Sequence, residues 1–265
     1  MTMSYDPSAG FLNLGIATLL LLAIIVILHV RRIGISRELI VGAARAILQL
    51  AVIVVLLVFV FESGNFLLII LMLIGMTLVA AWTSALRARS SLAKPFMVTL
   101  PSIAAGSFVS ISALVITGVI PITPAFLIPM GSMAIGASMI VSSLSIDRFI
   151  REMEIHNDQV EMALSLGASP DEATTVYMRE GVRSSMIPAI DRLKTLGIVI
   201  LPGAMAGMLI AGLNPYYAAE YQLIIVFLLI VAEAITAQFS VFLASRQIFD
   251  DRGRIIRLHP HSQSE

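Results

Sequence analysis

The sequence predicts an all-α, multi-pass membrane protein, and three observations lead there. Of its 265 residues, 58% are hydrophobic and only 13% are charged. A soluble domain carries about 45–50% and about 25% respectively, so the excess is too large for a single water-facing core. Apolar runs of the length that crosses hydrocarbon as a helix, about 20 residues, recur along the whole chain. These runs show no period-2 alternation, which argues against a β-barrel. The few charges are sorted between alternate connections, as positive-inside sorting of a helical protein requires. Mean hydropathy is +0.96.

Seven runs qualify as spans: 11–30, 39–61, 66–86, 96–120, 122–146, 195–213 and 221–245. The first is preceded by residues holding Asp6 and no Lys or Arg. The basic region of a cleaved signal is therefore missing, and the run reads as a retained helix. The second carries Arg45 and Gln49 one turn apart. Arg45 lies near the end of its run and can snorkel to the interface; an inner gate or anion-pairing role is the alternative. The first, the third, 66–86, and the seventh are the strong runs.

The fourth, fifth and sixth runs are diluted by Gly, Ser and Pro. Pro129 in the fifth and Pro202 in the sixth free backbone carbonyls that could line a pathway. Gly203 and Gly207 form a G-x-x-x-G pair, whose simplest role is close helix packing. Met130, Met133, Met205 and Met208 cluster in sequence beside the two prolines. Thioethers suit soft metals, but methionine is also ordinary filling in a lipid-facing protein.

The seventh run holds Glu233 near its middle. An acid there costs about 2.5–3.5 kcal/mol on insertion scales, so it must face a partner or a cavity. It is either a cation or proton ligand in a pathway, and so the one candidate metal ligand, or a structural glutamate held by Gln238 or a serine of another helix. One carboxylate per chain is little charge for a bare divalent cation; a dimer supplies two.

Charge placement sets the orientation. Arg31, Arg32 and Arg37 fall in the first connection, and Arg87, Arg89 and Lys94 in the third. Arg148, Arg151, Arg179, Arg183, Arg192 and Lys194 fall in the segment 147–194, and Arg246, Arg252, Arg254 and Arg257 in the tail 246–265. The connections between them hold only Glu62 and Glu220. The N-terminus is thus expected outside and the C-terminus in the cytoplasm, with the tail flexible.

The segment 147–194 is the one long polar stretch. Helix formers run from about 148 to 166, and Gly167 is placed to stop them. Ser169, Pro170 and Glu172 form the S-x-x-E capping box and first position of a second helix, which Pro188 interrupts near 187. The expectation is a cytoplasmic helix-turn-helix. A solvated connector would satisfy the spacing, but Met162, Leu164 and Leu166 flank the turn with no core in view, as a partner surface would.

The run Glu161-Met162-Ala163-Leu164-Ser165-Leu166-Gly167-Ala168 resembles the E-A-A-x-x-x-G coupling motif of ABC-transporter permeases. Glu161, Ala163 and Gly167 match it, and Met162 stands where the motif has its first Ala. With Pro188-Ala189-Ile190-Asp191, Lys194 and Leu201-Pro202-Gly203-Ala204-Met205-Ala206-Gly207, the chain is similar to the FetB, or UPF0014, family of ABC permeases. That family includes bacterial proteins linked to iron export and plant proteins linked to aluminium tolerance. The resemblance is strongest over about 155–220.

It implies a single permease domain in the inner membrane, dimeric, exporting iron or another metal ion; a sugar nucleotide is a further implied substrate. It implies that residues 161–168 dock a separate cytosolic ATPase, and that ATP and Mg act there and not on this chain. The sequence agrees with that division, for it has no G-x-x-x-x-G-K-[ST] loop to cradle a triphosphate.

Other classes find less support. Zero cysteines exclude disulfides and thiolate metal sites, and a net charge of +0 gives nucleic acid no electrostatic hold. A retinal pigment needs a buried lysine, and Lys94 and Lys194 are both expected on the cytoplasmic side. A membrane enzyme needs clustered titratable groups, and His29, His156, His259 and His261 are scattered. An ion-coupled secondary transporter or channel is the alternative, though no inverted repeat is evident.

Overall fold

The computed structural model describes residues 7–89 and 92–249. Every named element is a helix, in the order α1 Pro7–Val30, α2 Ser36–Ser63, α3 Phe66–Arg87, α4 Pro95–Ile116 and α5 Pro124–Ile155, followed by α6 Asn157–Ser165, α7 Pro170–Ser185, α8 Ile187–Thr195, α9 Gly203–Ile210 and α10 Pro215–Ile248. Among the described residues six helices are long and apolar enough to cross a membrane: α1 to α5 and α10. The chain is a multi-pass membrane protein. Asp6 and the tail residues Arg252, Arg254 and Arg257 lie outside the described residues.

The chain divides into two compact units, Met1–Gly64 and Asn65–Glu265. The first pairs α1 with α2 through a short turn whose Gly34 has φ +84°. Arg45 and Gln49 are both exposed on α2.

The second unit is built on α3, α4, α5 and α10. α3 runs parallel to α5, since Leu73 meets Gly131 near their starts and Ser143 Oγ donates to Ser84 Oγ at 2.9 Å farther along both. α4 runs antiparallel to both, and Thr99 Oγ1 donates to the Ala81 carbonyl at 2.9 Å. α10 is antiparallel to α4, with Lys94 N–H donating to Gln247 Oε1 at 3.0 Å. α5 and α10 are parallel and adjacent. Phe126 stacks near Tyr221 at their starts, Ser240 Oγ donates to Ser142 Oγ at 2.9 Å, and Met153 and Ile248 share a cluster at their ends.

Both of these helices outrun a bilayer. At 1.5 Å per residue, the 32 residues of α5 and the 34 of α10 give about 48 and about 51 Å, against about 30 Å of hydrocarbon. The surplus at the C-terminal ends is clothed by α6 and α7. Phe149, Met153, Val160, Val241 and Ile248 form a buried cluster there, with Tyr177 and Val182 packed against it. α7 fits closely because Gly181 has no side chain: a Cβ would stand 3.0–3.2 Å from Phe149 Cβ, Cα and N.

Two expectations are corrected. The run 195–213 is not a spanning helix. Gly197 turns the chain at φ +80°, the amides of Ile198, Val199 and Ile200 all bond back to the Thr195 carbonyl, and only α9, eight residues or about 12 Å, is helical. Gly197 and Pro202 account for the breaks. Secondly, the helix expected over 148–166 is divided at His156. Its first part continues α5 without a break as far as Ile155.

Candidate functional site

Two features stand out: a turn at the tip of the α6–α7 hairpin, and an ion pair midway along α10.

The turn is formed by local rules. α6 closes in a Schellman arrangement, with Ala168 N–H donating to the Ala163 carbonyl and Gly167 N–H to the Leu164 carbonyl, each at 3.0 Å. Gly167 has φ +94°, the left-handed conformation expected of it. Ser169 then caps α7: its hydroxyl accepts from Glu172 N–H at 3.3 Å, and Glu172 Oε2 accepts from Ser169 N–H at 2.8 Å. The Ser169 amide, and then its hydroxyl, hold the Glu172 carboxyl below the usual carboxylate range.

Of the three apolar residues at the turn, Leu164 packs against the buried cluster, so the expectation that it has no core is corrected. Met162 and Leu166 stay 63% and 83% exposed. Glu161 is exposed beside them and accepts from Asn157 Nδ2 at 3.1 Å. The face thus presented is two large apolar side chains beside one carboxylate, on a rigid turn.

The ion pair joins α8 to α10. Glu233 is buried, and its Oε2 accepts from Arg192 Nη2 at 2.5 Å. The Glu233 side chain is 7% exposed and that of Arg192 34%. Arg192 Nε is buried with no hydrogen-bond partner, so the guanidinium holds the carboxylate by one nitrogen rather than two. The partner is therefore neither Gln238 nor a serine. Arg192, expected in a polar cytoplasmic loop, lies alongside the middle of α10. A lone acid at mid-span demands a counter-charge, and that demand was the sequence signal for Arg192.

The surrounding helix interface is rich in hydroxyls. Ser102, Ser107 and Ser110 of α4, Ser138, Ser142 and Ser145 of α5, and Thr236 and Ser240 of α10 are all buried. Four of these eight bond to a carbonyl of their own helix, as Ser102 does to Val98 at 2.7 Å. Ser138 Oγ and Thr236 Oγ1 have no partner. Close approach here depends on Gly106 of α4, whose absent Cβ would collide with Thr236 Oγ1 and the Ala232 carbonyl.

The other expected site residues are not gathered together. Met130 is buried on α5 and Met133 is 38% exposed. Met205 and Met208, with Pro202 just ahead, belong to α9, which packs on α10. Gly203 and Gly207 are exposed, and a Cβ at either would meet nothing within 4 Å, so within this chain they pack no helix closely. Among the described residues no three His, Asp or Glu side chains converge as a metal site.

Comparison with known proteins extends these observations. Residues 11–249 match the model of an uncharacterised protein family, UPF0014. The chain is 28% identical over 244 residues to an Escherichia coli K12 protein named "Probable iron export permease protein FetB", covering 92% of this chain and 94% of that one. It is 32% identical to "UPF0014 membrane protein STAR2" of Oryza sativa subsp. japonica, covering 88% and 82%. It is 30% identical to "Protein ALUMINUM SENSITIVE 3" of Arabidopsis thaliana, covering 91% and 88%. No solved structure matches the chain.

Proposed function

The chain belongs to the UPF0014 family, and from that membership we propose that it is the permease subunit of an ATP-driven ABC transporter that exports iron or another metal ion. It works as a homodimer in the inner membrane, and a separate cytosolic subunit hydrolyses ATP. The observation that carries the reading is the tip of the α6–α7 hairpin. Met162 and Leu166 stand exposed on a turn whose backbone is fixed by the Gly167 closure and the Ser169 cap. Exposed apolar side chains on a fixed turn are suited to plugging a groove on a partner. α7 carries any push at that turn back to α5 and α10, on which it packs.

Orientation follows from the same reading. The ends of α3, α5 and α10, with α6 and α7, face the cytoplasm, where Arg87, Arg148, Arg151, Arg179 and Arg183 are found. The chain then makes seven crossings. The sixth is a broken one, assembled from α8, the turn at 196–202 and α9. Substrate passes beside Glu233, the pathway carboxylate.

The experiment is co-purification of the cytosolic ATPase subunit with the permease. Gly167→Val places a Cβ at φ +94°, at a cost of roughly 1 kcal/mol or more, yet touches nothing else in the chain. It should leave membrane insertion normal and cut ATPase recovery severalfold. Glu161→Lys should do the same by reversing a charge at the contact, and Arg254→Ala should change nothing. Full recovery with both site variants would remove the docking assignment.

A further inference from the structure

We infer that Arg192 is a tethered stand-in for the transported cation: it occupies Glu233 in the state described here, and must withdraw with α8 before a cation can bind there. The inference rests on Glu233 being the pathway carboxylate.

Glu233 cannot serve a metal ion as it stands. Its carboxylate is neutralised by Arg192 Nη2 at 2.5 Å, and a divalent cation brought to the same oxygens would meet a guanidinium a few ångströms away. The pair is nevertheless built to part. Only one guanidinium nitrogen is engaged, and Nε is left buried and unpartnered, whereas the stronger arginine–carboxylate pairs are frequently two-pronged. The carboxylate is enclosed, but about a third of the Arg192 side chain already reaches the surface, so the arginine is the member with a way out.

The helix that carries it is lightly held. α8 has nine residues and buries only Ala189. It follows α7 across Met186, whose backbone stays right-handed helical, and ends freely at Leu196, where ψ swings to 126° ahead of the left-handed Gly197. α7 leads from the exposed Gly167 turn straight into α8. A displacement of the turn is therefore transmitted along one 16-residue helix to the base of the segment that bears Arg192. Carboxylate oxygens favour a hard divalent cation over a soft one.

The test uses the full chain in lipid nanodiscs with Mn²⁺ alone as probe, followed by electron paramagnetic resonance. Arg192→Ala should bind Mn²⁺ at least about tenfold more tightly than wild type, because a competing unit charge is gone. Arg192→Lys should stay near wild type, and Glu233→Gln should abolish binding in either background. A measurement on unaltered protein guards against an Arg192→Ala chain that does not fold. Saturating Mn²⁺ should raise the deuterium uptake of residues 187–195 as α8 lets go. Equal Mn²⁺ affinity with and without Arg192, or no rise in uptake at 187–195, would overturn the inference while leaving Glu233 a cation site. Binding that survives Glu233→Gln would remove the pathway assignment itself, and the inference with it.

Discussion

Gly106 and Gly207 show what a single glycine does in a helix interface and what it does not. At Gly106 the neighbouring helix occupies the space of the missing side chain, and the collision would be with a backbone carbonyl as well as Thr236. Gly106→Val should therefore part α4 from α10. A loss of about 1–3 kcal/mol or more is expected, read as a lower thermal midpoint of the detergent-solubilised protein. Gly207→Ala meets open space and removes a flexible residue from a helix, so its midpoint should match or slightly exceed that of wild type. The G-x-x-x-G spacing pointed to the second glycine and was silent about the first. Spacing reports which residues share a helix face, whereas closeness depends on what the partner helix brings to it. Glu233 divides in the same way. Its cost in hydrocarbon is legible from composition, but its counter-ion lies 41 residues away and is fixed by the folding back of α8.

The α6–α7 hairpin is the element most fully legible in the sequence, because its signals are neighbours in the chain. Gly167, Ser169, Pro170 and Glu172 act on each other within one turn and need no tertiary help. The extension of α5 to Ile155 was not legible. Apolar residues thin out after Ser145, and what sustains the helix is the packing of Phe149 and Met153 under α7. Local control makes the cap testable. Ser169→Ala should loosen the first turn of α7 by about 1 kcal/mol. The pH dependence has a definite sign. The Glu172 carboxyl titrates lower in the folded protein than in the unfolded chain, so its contribution is present above the unfolded value and fades as pH falls through the folded one. Protection factors for amides of residues 171–174 should hold at neutral pH and fall in acid. Glu172→Gln should flatten that dependence, and an unchanged dependence would mean that the cap is not what the carboxyl serves.

At the scale of the molecule, the decisive relation is that α5 and α10 lie side by side and point the same way. Two parallel neighbours must be joined by a connection that returns along their full length. The contact between Phe126 and Tyr221 at one end, and the cluster of Met153 with Ile248 at the other, set that length. No single helix makes the return. α8 reaches the level of Glu233, the turn at 196–202 carries the chain past it, and α9 leads to Pro215. Hydropathy sees 195–213 as one apolar run because composition does not record where Gly197 and Pro202 break it. The proposed sidedness can be tested directly, and the sequence offers a clean assay because it contains no cysteine. Single cysteines at Gly118 and Leu213 should react with a membrane-impermeant maleimide in intact cells. Cysteines at Gly34 and Ala168 should react only after permeabilisation. Leu213→Cys decides the matter. If it is protected in intact cells along with Ala168→Cys, the stretch between them does not cross the bilayer, α10 enters from the cytoplasm, and α5 and α10 cannot be parallel neighbours in the membrane.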